Sequence, residues 1–148
     1  MKSVLCWLPL AFLLAACGTV TDWRELRSAP MTFGECYDGL VFVAKKDGFA
    51  ADTMGSDRGL GTWQSRWRER QIGLGRPGRY RLRAEILIDE GSSTAGWPIR
   101  YAIEQDKVKD LRKSLQPAEE DWSADGQDRE REVIFGEKLV RRLAGKTQ

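Results

Sequence analysis

The chain contains neither histidine nor asparagine. Without an imidazole there is no base for a Ser-His-Asp or Cys-His nucleophile, and every metal site that relies on a histidine ligand is excluded. Cysteine is scarce as well, with only Cys6, Cys17 and Cys36. Net charge is nearly absent at +2, so nothing global favours binding to nucleic acid.

What is present begins at the N-terminus. Lys2 supplies a short positive segment, and residues 4–14 form an apolar run of secretory-signal length, too short to span a bilayer. It ends in Leu14-Ala15-Ala16-Cys17-Gly18. This stretch resembles the lipobox of bacterial lipoproteins, in which small residues fit the signal peptidase and the cysteine thiol carries a diacylglyceryl group. The resemblance implies cleavage before Cys17, acylation there, and anchoring by two or more chains where one would be marginal. Gly18 is not the aspartate that retains enteric lipoproteins in the inner membrane, so the expected location is the outer membrane, facing the periplasm.

The expected organisation is a signal peptide at 1–16, a lipidated tether at 17–31 and one domain at 32–145, since the remaining length suits one modest core and not two. Removing Lys2 lowers the formal charge from +2 to +1. Cys6 leaves with the signal and Cys17 is acylated, so Cys36 has no disulfide partner. Its helical position reads as a small buried hydrophobe.

Thr32-Phe33-Gly34-Glu35 has capping-box spacing, and Phe33, Cys36, Tyr37, Leu40, Val41 and Ala44 fall on one helical stripe. Lys45 and Lys46 suit the negative end of the dipole, Gly48 suits the position after the cap, and Phe49 should fold back, which predicts a helix over 33–47. Residues 50–55 read as a short strand. Residues 60–70 alternate, with Gly61, Trp63, Ser65 and Trp67 on an inward face. After a glycine-rich loop at 73–78, residues 79–89 alternate most clearly, with Tyr80, Leu82, Ala84, Ile86 and Ile88 opposite Arg79, Arg81 and Arg83. A turn at 91–96 leads to a return strand carrying Ile99, Tyr101 and Ile103. Residues 107–125 read as a long polar loop. Phe135, Leu139 and Leu143, with Arg141 and Arg142 in the last turn and Gly145 beyond, predict a second helix over 128–144. The fold class is therefore α+β, a small antiparallel sheet of roughly four strands packed against two terminal helices.

Three patterns carry possible chemistry. Gly73-Leu74-Gly75-Arg76-Pro77-Gly78 matches G-x-G-x-x-G, but a strand follows it where a dinucleotide site needs a helix N-terminus, so it reads as an inter-strand loop. Glu119, Glu120 and Asp121 read as a solvated acidic loop, and no metal or cofactor is expected. The arginines are the best binding lead. Residues 58–83 hold eight arginines against Glu69 alone, while 116–137 hold eight acids against Arg129 and Arg131. Arg66, Arg68 and Arg70 share one face of their run, and Arg79, Arg81 and Arg83 share one face of the next. Pairing of the two runs would create a guanidinium patch able to meet anionic headgroups, an acidic protein, or the chain's own acidic segment. Nucleic acid is not expected as a partner.

Finally, Cys36-Tyr37-Asp38-Gly39-Leu40, Gly48-Phe49, Asp57-Arg58-Gly59-Leu60 and the run from Trp63 to Trp67 resemble a pattern in BamC-type lipoproteins of the outer-membrane β-barrel assembly machine. The resemblance covers about a quarter of the chain and implies a fold and a non-enzymatic character. The expected function is a lipid-anchored, non-catalytic module that binds or scaffolds a protein or envelope polymer, its partner an envelope protein or an anionic envelope component. The alternative is an envelope hydrolase using carboxylate or Ser/Lys chemistry.

Overall fold

The computed structural model describes residues 21–72 and 75–145. Cys17, Gly73 and Leu74 lie outside the described residues. The fold is α+β: six antiparallel strands form one sheet, and two helices cover one of its faces.

The first helix, α1 (Phe33–Lys46), starts where local chemistry places it. Glu35 donates its backbone N–H to Thr32 Oγ1 at 3.3 Å, and Thr32 returns its own N–H to Glu35 Oε2 at 2.9 Å. The helix ends on Gly48, whose φ of +83° is costly for any residue with a Cβ. There Phe49 donates to Ala44 O and Gly48 to Lys45 O, satisfying two terminal carbonyls and turning Phe49 into the core. The second helix, α2 (Arg129–Leu143), starts at Asp128, whose side chain accepts from Arg131 N. It packs close to the sheet because residue 136 is glycine, where a Cβ would collide with Tyr101 Oη.

The sheet is built on a central hairpin of β4 (Arg76–Ile86) and β5 (Pro98–Val108). Each outer row is made of two short strands laid end to end. β1 (Arg24–Arg27) and β6 (Trp122–Gln127) both pair with β5, while β2 (Thr62–Gln64) and β3 (Arg68–Ile72) both pair with β4. Tyr80, Leu82, Ala84 and Ile86 from β4 and Ile99, Tyr101 and Ile103 from β5 meet Leu40, Val43, Phe135 and Leu139 from the helices. This is the core, at the face the alternation of β4 had marked.

Several expectations change. The outer rows bring the strand count to six, because both were drawn as one strand or none. Part of the segment read as tether is β1, held by pairing with β5 and by an ion pair from Arg24 to Glu132 on α2. The polar stretch read as loop over 107–125 ends in a strand, β6, and contains two short 3₁₀ turns. Residues 50–55 contribute only one bridge, Ala51 to Ser65. Residues 76–78 of the glycine-rich stretch belong to strand, since β4 already begins at Arg76.

The most consequential change is a one-residue bulge between β2 and β3. Trp63 pairs with Ala84 and Arg68 with Tyr80, so one strand advances five residues while the other retreats four. The extra residue reverses which side every later residue faces. Ser65 occupies the irregularity: its N–H donates to Leu82 O, and its hydroxyl accepts from Leu82 N, both at 2.9 Å.

Candidate binding face

The face of the sheet away from the helices carries the polar residues of β4 and β5. The register sets Arg79 opposite Asp106, Arg81 opposite Glu104 and Glu85 opposite Arg100. Opposite charges therefore meet directly across the central hairpin. Arg81 Nε donates to Glu104 Oε2 at 2.7 Å, and Arg83 Nη1 to Glu104 Oε1 at 2.8 Å. Arg100 donates twice to Glu85 Oε2, at 2.8 and 2.6 Å. Burial pushes the Glu104 carboxyl up, but the hydrogen bonds from Arg83 and Arg81 outweigh it and hold the group below its ordinary value.

Three tryptophans are interleaved with these guanidiniums. Arg79 lies over the rings of Trp67 and Trp122, 4.4 and 4.8 Å from their centroids, and Arg81 lies 4.4 Å from that of Trp67. Arg83 and Arg100 lie over Trp23, at 5.3 and 5.0 Å. These distances place the planar cations on ring quadrupoles, an arrangement that suits Arg better than Lys. Trp67 reaches this side only because of the bulge; the uninterrupted alternation had placed it inward with Trp63.

Arg79 is the most enclosed member. Its side chain is 8% exposed, yet all three guanidinium nitrogens have acceptors: Nε on Asp106 Oδ2 at 3.0 Å, and Nη1 and Nη2 on Glu119 Oε2 and Oε1, both at 2.7 Å. Burial alone lowers the Arg79 pKa, but bonds from Glu119 and Asp106 reverse this and raise it. Glu119 is held below its ordinary value, chiefly by its hydrogen bonds from Arg79. Beside this pair lies a groove of about 440 Å³, lined by Trp67, Arg79, Arg81, Glu104, Glu119 and Gln127 among others.

The six arginines proposed as one patch are divided. Arg79, Arg81 and Arg83 occupy the polar face, but their charge is paired there. The bulge sends Arg68 and Arg70 to the opposite side, in register with Tyr80 and Gly78. Arg70 there bridges Asp128 at 2.8 Å and Arg68 donates to Gly48 O at 3.3 Å. Arg66 lies exposed in the break itself. Of the six patch arginines, the acidic segment pairs with two among the described residues, Arg79 through Glu119 and Arg70 through Asp128, while Arg81 and Arg83 are compensated by Glu104 on β5.

The acidic triple has divided roles. Glu119 clasps Arg79, Asp121 meets Lys113 at 2.6 Å, and the backbone carbonyl of Glu120 accepts from Lys109 Nζ. Among the described residues no group of three or more acidic, histidine or cysteine side chains converges as a metal site would require. Cys36 is fully buried on α1, and burial pushes its thiol up to about 11, so it is held as the unreactive thiol.

Sequence reasoning missed Glu85, Glu104 and Asp106 as partners, and Trp23, Trp67 and Trp122 as members of the face. One signal for the acids was present. Once the turn at 91–96 fixes the hairpin, Glu104 and Arg100 fall opposite Arg81 and Glu85. The fold and this face define a class, an α+β domain whose open sheet side is an arginine, carboxylate and tryptophan layer. In comparisons with known proteins, no family model and no curated protein matches the chain.

Proposed function

We propose that the chain is an envelope lipoprotein, acylated on Cys17 at the outer membrane and facing the periplasm, whose polar sheet face is a non-catalytic binding surface. The observation that carries the location is Leu14-Ala15-Ala16-Cys17-Gly18 followed almost at once by ordered strand. From Cys17 to Arg24 the chain reaches at most ~25 Å, so the anchor holds the domain against the bilayer surface. No helix among the described residues is long and apolar enough to cross a membrane.

The binding role is supported by the polar face itself. Its arginines sit in fixed ion pairs and against tryptophan rings, so donors and ring edges are preorganised towards one side. The carboxylate form of the rival hydrolase, as distinct from its Ser/Lys form, needs a carboxylate free to gain and lose a proton. Glu104 and Glu119 are both bound by arginines and shifted in the acidic direction, away from the neutral range where a general acid works best.

Radiolabelled palmitate should mark the wild-type protein and not Cys17→Ser, and the variant should leave the membrane fraction. Photo-crosslinkers at positions 81, 83 and 100 should capture a partner in intact cells, whereas positions 66 and 68 should not. Absence of palmitate label removes the anchor. Capture from 66 and 68 alone removes the polar face.

A further inference from the structure

The geometry assigns the Arg79 pocket as a carboxylate-binding site for an acidic peptide segment of a partner protein, occupied in the isolated chain by its own Glu119. The inference rests on the polar sheet face being the binding face proposed above.

Three observations point the same way. First, the guanidinium is a built receptor: it is almost wholly enclosed, sits over Trp67 and Trp122, and is oriented by Asp106 from the neighbouring strand. Asp106 Oδ2 holds the guanidinium from one side, 3.0 Å from both Nε and Nη2, and leaves the Nη1–Nη2 end, the fork that recognises a carboxylate through two parallel bonds, to Glu119. Second, the occupant of that fork comes from outside the core. The Glu119 side chain is 77% exposed and is carried on a 3₁₀ turn, Glu119–Asp121, in the connection between β5 and β6. The receptor is buried and its occupant is not, so the carboxylate approaches from the solvent side. Third, the groove next to this contact continues past Arg81 to Gln127, leaving space for chain on either side of an incoming carboxylate.

The identity of the occupant selects the class of ligand. Glu119 belongs to Glu119-Glu120-Asp121, so the position is already filled by an acidic peptide through bonds that a partner's acidic peptide would reproduce. Loss of Glu119 alone does not leave Arg79 orphaned, because Asp106 and both indoles remain. The exchange therefore trades one carboxylate for another, and the internal glutamate acts as a tethered competitor that sets a threshold for binding.

The test uses the full chain in detergent micelles, titrated with hexaglutamate by calorimetry and by tryptophan fluorescence. Glu119→Gln removes an exposed side chain's charge without touching the core. It should bind hexaglutamate roughly three- to ten-fold tighter than wild type, the range expected when a solvent-screened internal ion pair stops competing. Arg79→Lys in the same background should lose most of that affinity, because Lys keeps the charge but not the fork. Trp67→Phe/Trp122→Phe, which keeps a ring on each side and needs no change at Arg79, should keep calorimetric binding and lose much of the fluorescence response. Equal affinity of wild type and Glu119→Gln overturns the proposal. So does an undiminished fluorescence response in Trp67→Phe/Trp122→Phe, which would place the ligand elsewhere. Inorganic phosphate binding as tightly as hexaglutamate would also overturn it, in favour of a general anion sink. A Cys17→Ser protein should titrate like wild type, so failure of the anchor is read separately. Crosslinks from positions 81, 83 and 100 without hexaglutamate binding would retain the face and reject this ligand.

Discussion

Glu132 is the residue on which the join between helix, sheet and N-terminal strand should depend most. It lies on the first turn of α2, its side chain is 0% exposed, and its two oxygens receive four donors. Oε1 accepts from Ile103 N at 2.9 Å and Gln127 Nε2 at 2.8 Å; Oε2 accepts from Arg24 Nε and Arg129 Nη1, both at 3.1 Å. Glu132→Ala affects these donors unequally. The arginine side chains are 38% and 44% exposed and can turn to water, so each lost pair costs well under 1 kcal/mol. The Ile103 N–H is buried in the middle of β5 and stays unpaired, at about 1–3 kcal/mol. With the cavity left by the side chain, the total is about 3 kcal/mol. For a domain of this size that is roughly 10 °C in Tm, or about 2 M in urea midpoint at an unchanged m-value. Glu132→Gln keeps an acceptor for Ile103 but turns an NH₂ towards two guanidiniums, and should lose about half as much. Arg24→Ala should cost less than either. Urea denaturation followed by circular dichroism measures all three. If Glu132→Ala falls within about 0.5 kcal/mol of wild type, or Arg24→Ala is the most damaging, the reasoning from the buried N–H is wrong.

Two further outcomes follow from the polar face and the bulge. Ser65→Ala should cost about 1–3 kcal/mol, because Leu82 N then loses the hydroxyl that accepts from it at a buried site; a loss indistinguishable from zero by thermal denaturation would mean that the bulge does not depend on the hydroxyl. Glu104 has a folded pKa below its ordinary 4.5, so its contribution is fully present above that value and is lost as pH falls through the depressed one. In urea titrations between pH 7 and pH 3, the wild type should therefore weaken more steeply below about pH 4.5 than Arg81→Gln/Arg83→Gln. Parallel curves for the two proteins would refute the assignment.

The parts legible from sequence were those in which a residue's role is decided within a few positions. Thr32 and Glu35 cap α1 through bonds three residues apart, and Gly48 ends it through the preceding turn. The alternation of Tyr80 to Ile86 records one buried face and required no knowledge of the partner strand. β1 and β6 carry no such record. Arg24–Arg27 holds a single aliphatic residue, and Trp122–Gln127 includes Asp125 and Gly126, which strands generally avoid. Both exist because β5 offers an edge to pair with, a tertiary cause that no local window contains.

The arginine patch failed as first drawn for two separable reasons, and each applies to any charge pattern read along a strand. A strand's alternation gives the facing of its residues only while the register is unbroken. One residue inserted between Trp63 and Arg68 was enough to carry Trp67 onto the polar face and Arg68 and Arg70 off it. Even where the facing was right, at Arg79, Arg81 and Arg83, the free charge was not, because the compensating acids stand 21 to 27 residues away on β5. Those acids become visible once the hairpin is centred between Ser92 and Ser93, since mirror positions about that point must meet. Glu119 has no mirror position. It reaches Arg79 from beyond the end of β5, on a connection whose path is set by how β6 returns to the sheet. The carboxylate that occupies the Arg79 fork was thus beyond the reach of both alternation and hairpin symmetry, unlike Asp106, Glu104 and Glu85.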